Sequence, residues 1–118
     1  MNQQVNSRGR IEVSLVAIAS LAHDAVLRSY GVVGTVEKSL ATGIANVFSR
    51  ESRRGVVVRL RNGAIVIDLY VIVEYGTRIA SVARSAMNIV KYTVEKSIGV
   101  PVAEVNVHVE EIRVSSQD

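Results

Sequence analysis

Two alternating segments joined by Asn62-Gly63 constrain the fold of this chain more than any other feature of its sequence. In residues 56–61 aliphatic side chains alternate with arginines, and residues 64–75 continue the two-residue period after the turn. An Asn-Gly pair between two such runs is the strongest short-range signal for a β-hairpin. The sequence therefore predicts strands over 56–61 and 64–75 joined by a tight turn.

The return strand of this hairpin has one apolar face and one mixed face. Its apolar face carries Ile65, Ile67, Leu69, Val71 and Val73, whereas its mixed face carries Val66, Asp68, Tyr70, Ile72 and Glu74. A mixed face on a core strand favours partial cover by another element or another subunit. We therefore expect Tyr70, Ile72 and Tyr75 to be core residues in a monomer or contacts in an oligomer.

Upstream of the hairpin, the patterns predict a strand and two helices. Residues 10–13 alternate as a short strand, and Ser14 is a suitable cap for a helix that runs to about Tyr30. The segment Gly31 to Gly34 connects this helix to a second one, capped by Thr35 and apolar on one stripe as far as Phe48. Residues 49–55 are predicted to form a basic loop.

Downstream of the hairpin, the sequence predicts one more helix and one more strand. A helix follows Gly76-Thr77 and ends at Gly99, because glycine favours the end of a helix and Pro101 cannot continue one. Residues 102–114 then alternate as a last strand. The resulting order β-α-α-β-β-α-β indicates an α+β fold in two layers, with the helices packed on one face of a largely antiparallel sheet.

Length and composition agree with a single small domain. The chain has 118 residues, enough to bury roughly two thirds of the unfolded surface. Valine and isoleucine make up 33 of them, a density that favours strands over an all-helical bundle. We expect a domain over 9–114, a disordered tail over 1–8 and a short C-terminal tail over 115–118.

Metal, thiol and membrane-spanning functions are disfavoured by the same composition. The chain has no cysteine and two histidines, so we predict no metal site and no cofactor. Apolar runs such as residues 69–73 are far shorter than the roughly 20 residues that span a bilayer. No apolar stretch follows the N-terminus as in a signal peptide. A cytoplasmic protein without a transmembrane segment of its own is the expectation.

The positive charge is concentrated in one window. Residues 50–61 have a net charge of +4, whereas the rest of the chain has −1. The arginines of this window are Arg50, Arg53, Arg54, Arg59 and Arg61. They could protect an edge strand from aggregation, or form a docking surface for an acidic protein partner or for anionic lipid headgroups.

Catalysis is the least supported class of function. His108 and Glu110 share one face of the last predicted strand and could relay a proton, but no nucleophile accompanies them. Asp68 and Glu74 lie six residues apart on a strand, roughly 20 Å, which is too far for a carboxylate pair. The sequence contains no nucleotide-binding, zinc-protease or serine-hydrolase motif. We therefore predict that the protein is not an enzyme.

RNA binding is the alternative that the residues leave open. The predicted order β-α-α-β-β-α is that of a KH module, whose GxxG loop joins two helices and clamps the backbone of nucleotides. Gly31 and Gly34 occupy the corresponding position, and the arginines of 50–61 could contact phosphates. The two residues between the glycines are valines, however, where a phosphate-binding loop usually has a cationic or small polar residue.

Five segments together resemble a known family. They are Gly9-Arg-Ile-Glu-Val-Ser14, Tyr30-Gly-Val-Val-Gly34, Ile67-Asp-Leu-Tyr-Val-Ile-Val-Glu-Tyr-Gly76, Ile79-Ala-Ser-Val-Ala83 and Val105-Asn-Val-His-Val109. In order and spacing they resemble the alkaline-shock-protein 23 family, the envelope stress response family of Gram-positive bacteria. The resemblance covers about residues 9–114 and is greatest to the short housekeeping-type paralogs.

This resemblance implies a non-enzymatic cytoplasmic protein that self-associates and is linked to cell-envelope stress. In the best-known members it implies docking to a small membrane-anchored relative, and hence a position at the inner face of the membrane. It carries over no catalytic residue. The resembling segments coincide with predicted structural roles: caps at Ser14 and Thr77, glycine turns at Gly31 and Gly34, and a core strand from Ile67.

Our leading hypothesis is therefore a scaffold or adaptor of the envelope stress response that forms homo-oligomers and binds a protein partner through the arginine-rich window. A KH-like RNA-binding module that uses the Gly31–Gly34 loop is the alternative.

Overall fold

The computed structural model describes residues 3–37 and 50–114, with side chains for 15–37 and 54–114. In these ranges the chain forms two helices and five strands. In chain order they are α1 (Gln3–Leu27), β1 (Val32–Thr35), β2 (Arg50–Arg53), β3 (Val56–Arg61), β4 (Ala64–Glu74), α2 (Ile79–Ile98) and β5 (Val102–Arg113).

β4 is the central strand of the sheet. Along one of its edges β3 pairs with residues 64–69 and β1 with residues 71–73, both antiparallel, and β2 continues the sheet beyond β3. β5 occupies the other edge and runs parallel to β4 over residues 65–74. The parallel pairing follows from the connection, because a helical crossover through α2 returns the chain in the same direction.

Both helices pack against the same face of the sheet. This face carries the apolar side of β4 (Ile67, Leu69, Val71 and Val73), all fully buried. α1 contributes small residues such as Ala19, Ala22 and Ala25, and α2 contributes Val82, Ala86, Val90 and Val94. Small alanines let the helix axes approach each other, and α1 packs directly on α2. The predicted two-layer α+β class is therefore confirmed.

The hairpin, the helix that follows it and the last strand are confirmed. β3 and β4 are joined at Asn62 and Gly63, whose φ angles are both positive, +54° and +81°, as a type I′ turn requires. Gly99 ends α2 in the left-handed conformation, and its N–H donates to the carbonyl of Glu95.

The first predicted strand is wrong, since residues 10–13 lie within α1 and Ser14 is inside the helix rather than at its start. Ile11, Leu15 and Ile18 have the spacing of one helical face. An alternation of only four residues is compatible with a strand or with a helix, and here these residues are part of the longer helix. α1 begins at Gln3, so it also includes the part of the predicted tail that the structure describes. The tail boundaries otherwise stay predictions.

The predicted start of the second helix is also wrong. Thr35 lies in β1, where β-branched residues pair with β4 instead of continuing as a helix. The rest of that helix, from Leu40 to Phe48, lies outside the described residues. Within the predicted basic loop, Arg50–Arg53 forms β2. The predicted cap at Thr77 is wrong as well, because the N-cap of α2 is Arg78. The Thr77 hydroxyl instead donates to the Glu74 carbonyl at 2.7 Å, in the turn that precedes the helix.

Gly31 connects the two layers at the end of α1. Its φ is +86°, and a Cβ built there would lie 2.5 Å from Val82 Cγ2 of α2. Its carbonyl accepts a hydrogen bond from Glu74 N at 2.9 Å, which fixes the start of β1 against the end of β4. Glycine is therefore required here both for the backbone angle and for the close approach.

We expect Gly31→Ala to lower the free energy of unfolding by about 2–4 kcal/mol, because it adds a steric overlap to a left-handed backbone. Gly76→Ala is the matched control, since Gly76 has φ +96° and nothing within 4 Å of its ideal Cβ. The control substitution should lower the free energy of unfolding by about 1 kcal/mol. Urea denaturation measures both. The role assigned to Val82 would be contradicted if the two substitutions lowered the free energy of unfolding equally. It would also be contradicted if Gly31→Ala were as destabilising in a Val82→Ala background as in the wild type.

Candidate functional site

The sheet face opposite the helices carries a cluster of polar side chains centred on Asp68. Asp68 is in the middle of β4 and only 6% exposed. The register places it beside Val57 of β3 on one side and Asn106 of β5 on the other. A carboxylate at such a buried position needs hydrogen bonds and a countercharge to remain ionised.

Both flanking strands supply partners for Asp68. From β3, Arg59 reaches Oδ2 with Nε at 3.0 Å and with Nη2 at 2.9 Å. From β5, Asn106 Nδ2 and His108 Nε2 each lie 3.1 Å from Oδ1. Both carboxylate oxygens are therefore engaged, and one side chain links three strands.

The environment of Asp68 favours the ionised carboxylate. Burial alone would raise its pKa, but hydrogen bonds from His108, Asn106 and Arg59, together with the charge of Arg59, hold the pKa below the usual value. An ionised carboxylate only accepts hydrogen bonds, so the proton of a neutral His108 ring resides on Nε2. The His108 ring also stacks on Tyr70, with centroids 4.5 Å apart and planes 11° from parallel.

A second ion pair lies beside this cluster. Arg61 Nη2 is 2.7 Å from Glu104 Oε1, and the pair joins β3 to β5 across Val66 of β4. Hydrogen bonds from Arg61 and then Asn106, with the charge of Arg61, lower the pKa of Glu104. Val66 is fully buried although it is on this face. We call Arg59, Arg61, Asp68, Tyr70, Glu104, Asn106 and His108 the sheet-face network.

Comparison with models of protein families shows to which family this chain belongs. The sequence model of the alkaline-shock-protein 23 family, described by a cell envelope-related function, matches residues 3–114. The chain belongs to the alkaline-shock-protein 23 family. The resemblance that the five sequence segments indicate is therefore confirmed.

Related proteins in the family match over nearly their whole length. The uncharacterized protein YloU of Bacillus subtilis is 40% identical over 92% of this chain and 92% of its own. An uncharacterized protein of Streptococcus pyogenes is 30% identical over the full length of both chains. YqhY of Bacillus subtilis, also uncharacterized, is 27% identical over 92% of this chain and 81% of its own.

One solved structure, a variant of the MamM CTD, matches with a TM-score of 0.46 at 16% identity, covering 88% of this chain and 98% of that one.

In this family member, the arginines of the basic window whose side chains the structure describes lie in two places. Arg59 and Arg61 belong to the sheet-face network, about one third and one half exposed. Arg54, in the turn after β2, lines a separate polar pocket of about 240 Å³ with Ser20, His23 and Asp24 of α1. Arg50 and Arg53 are in β2, paired in register with Arg59 and Val56. Whether any of them binds a partner stays a prediction.

The three predicted oligomer contacts are in different environments. Tyr70 is half-buried in the sheet-face network, Ile72 is buried within the chain, and Tyr75 is 69% exposed just beyond β4. Tyr70 and Ile72 share one face of β4, as predicted. Their role in an oligomer stays a prediction.

The predicted RNA-clamping loop does not have the geometry of such a loop. Gly31 packs on Val82 at the end of α1, whereas Gly34 lies within β1 opposite Ile72. A strand therefore follows Gly31, where the KH-like interpretation requires a loop between two helices.

Sequence reasoning missed the network because its partners are distant along the chain. His108 contacts Asp68, which is 40 residues away along the chain. The mixed face of β4 and the polar face of β5 are both readable from the sequence, but their parallel pairing is not. Among the described residues, no cluster of histidines and carboxylates could hold a metal ion. No helix in those ranges is long and apolar enough to cross a membrane.

We expect Asp68→Asn to lower the free energy of unfolding at pH 7 by about 1–3 kcal/mol, because the amide cannot accept all four hydrogen bonds and leaves Arg59 without its countercharge. The difference from wild type should shrink as pH falls below about 4, since the lowered pKa stabilises the folded state only while the carboxyl is ionised. Urea denaturation at pH 7 and pH 3 measures both effects.

Arg113→Gln serves as the control for this measurement, because it breaks an exposed pair with Glu111 on the same sheet and should change stability little. A constant difference between wild type and Asp68→Asn across this pH range would show that the carboxyl does not contribute through its ionised form.

Proposed function

We propose that this protein is a non-enzymatic scaffold or adaptor of the cell envelope, which associates with itself and docks to a protein partner in the cytoplasm. The family match supports an envelope-related role, and the sheet-face network supports the mode of action. A small membrane-anchored relative is the partner that the family resemblance suggests.

The observation that carries this proposal is the internal pairing of the sheet-face network. Asp68 uses both oxygens within the chain, and Arg61 pairs with Glu104. Groups paired in this way hold three strands in register and present their exposed atoms in fixed positions. A surface ordered before binding loses little side-chain entropy when a partner docks, which favours recognition over chemistry.

The charges of this face suit a second copy of the same chain. β3 contributes the cations Arg59 and Arg61, whereas β4 and β5 contribute the carboxylates Asp68 and Glu104. A two-fold axis parallel to β4 would set the basic side of one copy against the acidic side of the other. Arg61 would then face Glu104 of a second copy as well as its own.

A charge swap tests this arrangement. R61E should weaken self-association at least tenfold, because like charges then meet within and between copies. The double variant R61E/E104R should restore it. When wild type and double variant are mixed in equal amounts, random pairing would make half of all dimers mixed. We expect fewer mixed dimers than this, because position 61 of each copy would then face a like charge. Sedimentation velocity and native mass spectrometry of isotope-labelled mixtures provide the readouts.

R84E, on the exposed surface of α2, is the control variant and should leave self-association unchanged. Wild type that remains monomeric up to about 100 µM would contradict the scaffold proposal. Statistical mixing of wild type and double variant would contradict the sheet face as the self-association surface.

A further inference from the structure

A groove on the helical side of the molecule is unrelated to the sheet-face network. It has a volume of about 430 Å³ and lies between the turn after α1 and the middle of α2. Tyr30 and Tyr92 line it, and these side chains are 75% and 63% exposed. The whole chain contains four tyrosines and one phenylalanine, so this groove holds two of its five such side chains. Exposed aromatic side chains at a concave site are typical anchors for a binding partner.

The surroundings of the groove are basic. Arg28 lines it, and Lys96 Nζ lies 5.8 Å from the centre of the Tyr92 ring. Arg84 and Lys91 are exposed on α2 beside the groove-lining Ser85, Asn88 and Tyr92. The one acidic residue of α2, Glu95, accepts a hydrogen bond from Val102 N at 2.8 Å and is committed to the start of β5.

One residue that lines the groove has a buried hydroxyl for which the described residues supply no hydrogen-bond partner. Ser29, which helps to line it, is 7% exposed, and its Oγ is the buried side-chain polar atom for which the described residues supply no partner. A buried hydroxyl without a partner destabilises the fold, so a rotation of the Ser29 side chain that brings Oγ to a ligand in the groove would be favourable. A carboxylate can accept from this hydroxyl and from Arg28.

From these observations we infer that the Tyr30–Tyr92 groove binds an acidic peptide segment of a partner protein, with apolar residues of the peptide against the tyrosines and its carboxylates near Arg28 and Lys96. This inference rests on the proposed adaptor function and specifies the docking site for its partner. It assigns that site to the helical layer, so one copy can bind a partner while its sheet face binds a second copy.

The experiment uses the full-length ¹⁵N-labelled protein and two degenerate pools of twelve-residue peptides. The acidic pool has aspartate or glutamate at alternate positions and apolar residues between them, and the matched basic pool replaces each acidic residue with lysine. We expect the acidic pool to shift the amide signals of residues 28–30 and 85–92, and the basic pool to leave them unchanged. The shifts should weaken as salt is raised.

Matched variants locate the binding site. Y30A and Y92A should each raise the apparent Kd for the acidic pool at least tenfold. Y75A removes a tyrosine that is 69% exposed outside the groove and should leave the Kd unchanged. Because Tyr30 and Tyr92 are exposed, Y30A and Y92A should remain folded, and their amide spectra check this.

Several outcomes would overturn the inference: no shifts with the acidic pool, equal shifts with both pools, or an equal loss of binding in Y75A. Vesicles of phosphatidylglycerol that bind through Tyr30 and Tyr92, with no response to acidic peptide, would assign the groove to lipid instead. If the peptide result is negative while R61E weakens self-association at least tenfold, this inference fails and the scaffold proposal stands. Groove binding by a strictly monomeric wild type would contradict the scaffold proposal alone.

Discussion

Asp68 is a carboxylate buried in the central strand of a sheet, and its need for partners determines how the neighbouring strands are arranged. Arg59 supplies the countercharge from β3, and Asn106 and His108 complete its hydrogen bonds from β5. A shift of either strand by one residue would turn these side chains to the helical face and bury charges in the apolar core. The polar cluster therefore specifies strand register in a way that an aliphatic face cannot.

The two faces of the sheet have different roles as a result. On one face, β-branched residues and alanines pack the helices closely, and Gly31 lets the chain turn against Val82 before β1 begins. On the other, ion pairs lie over Val66 and keep charged groups at fixed positions. The helical layer in turn forms the Tyr30–Tyr92 groove. This division gives a small domain two separate surfaces, and the proposed function assigns a different partner to each.

Whether a structural feature could be predicted from the sequence depends on how far apart along the chain the residues that form it lie. The hairpin at Asn62-Gly63 and the end of α2 at Gly99 depend on neighbouring residues, and the sequence indicates both. Residues 10–13 and 32–35 are too short to determine their own structure, so the length of α1 and pairing with β4 decide them.

The site was predictable only in part for the same reason. The basic window contains Arg59 and Arg61, but their acidic partners could be assigned only from the pairing of β3 and β5 with β4. The parallel pairing of β4 with β5 brings together residues 38 and 40 positions apart, which no local pattern reveals. Tyr30 follows a helix end and Tyr92 lies on an exposed helix surface, so the groove that they line appears only when α1 packs on α2.

Amide hydrogen exchange at two protein concentrations would test most directly whether the sheet-face network is the surface through which copies of this chain associate. Exchange is slowed where a second copy excludes water and stabilises the strands beneath. At about 500 µM compared with about 5 µM, the account predicts added protection in residues 57–61, 66–72 and 104–108, with α2 unchanged. Added protection confined to α1 and α2, with none in these strand segments, would contradict it.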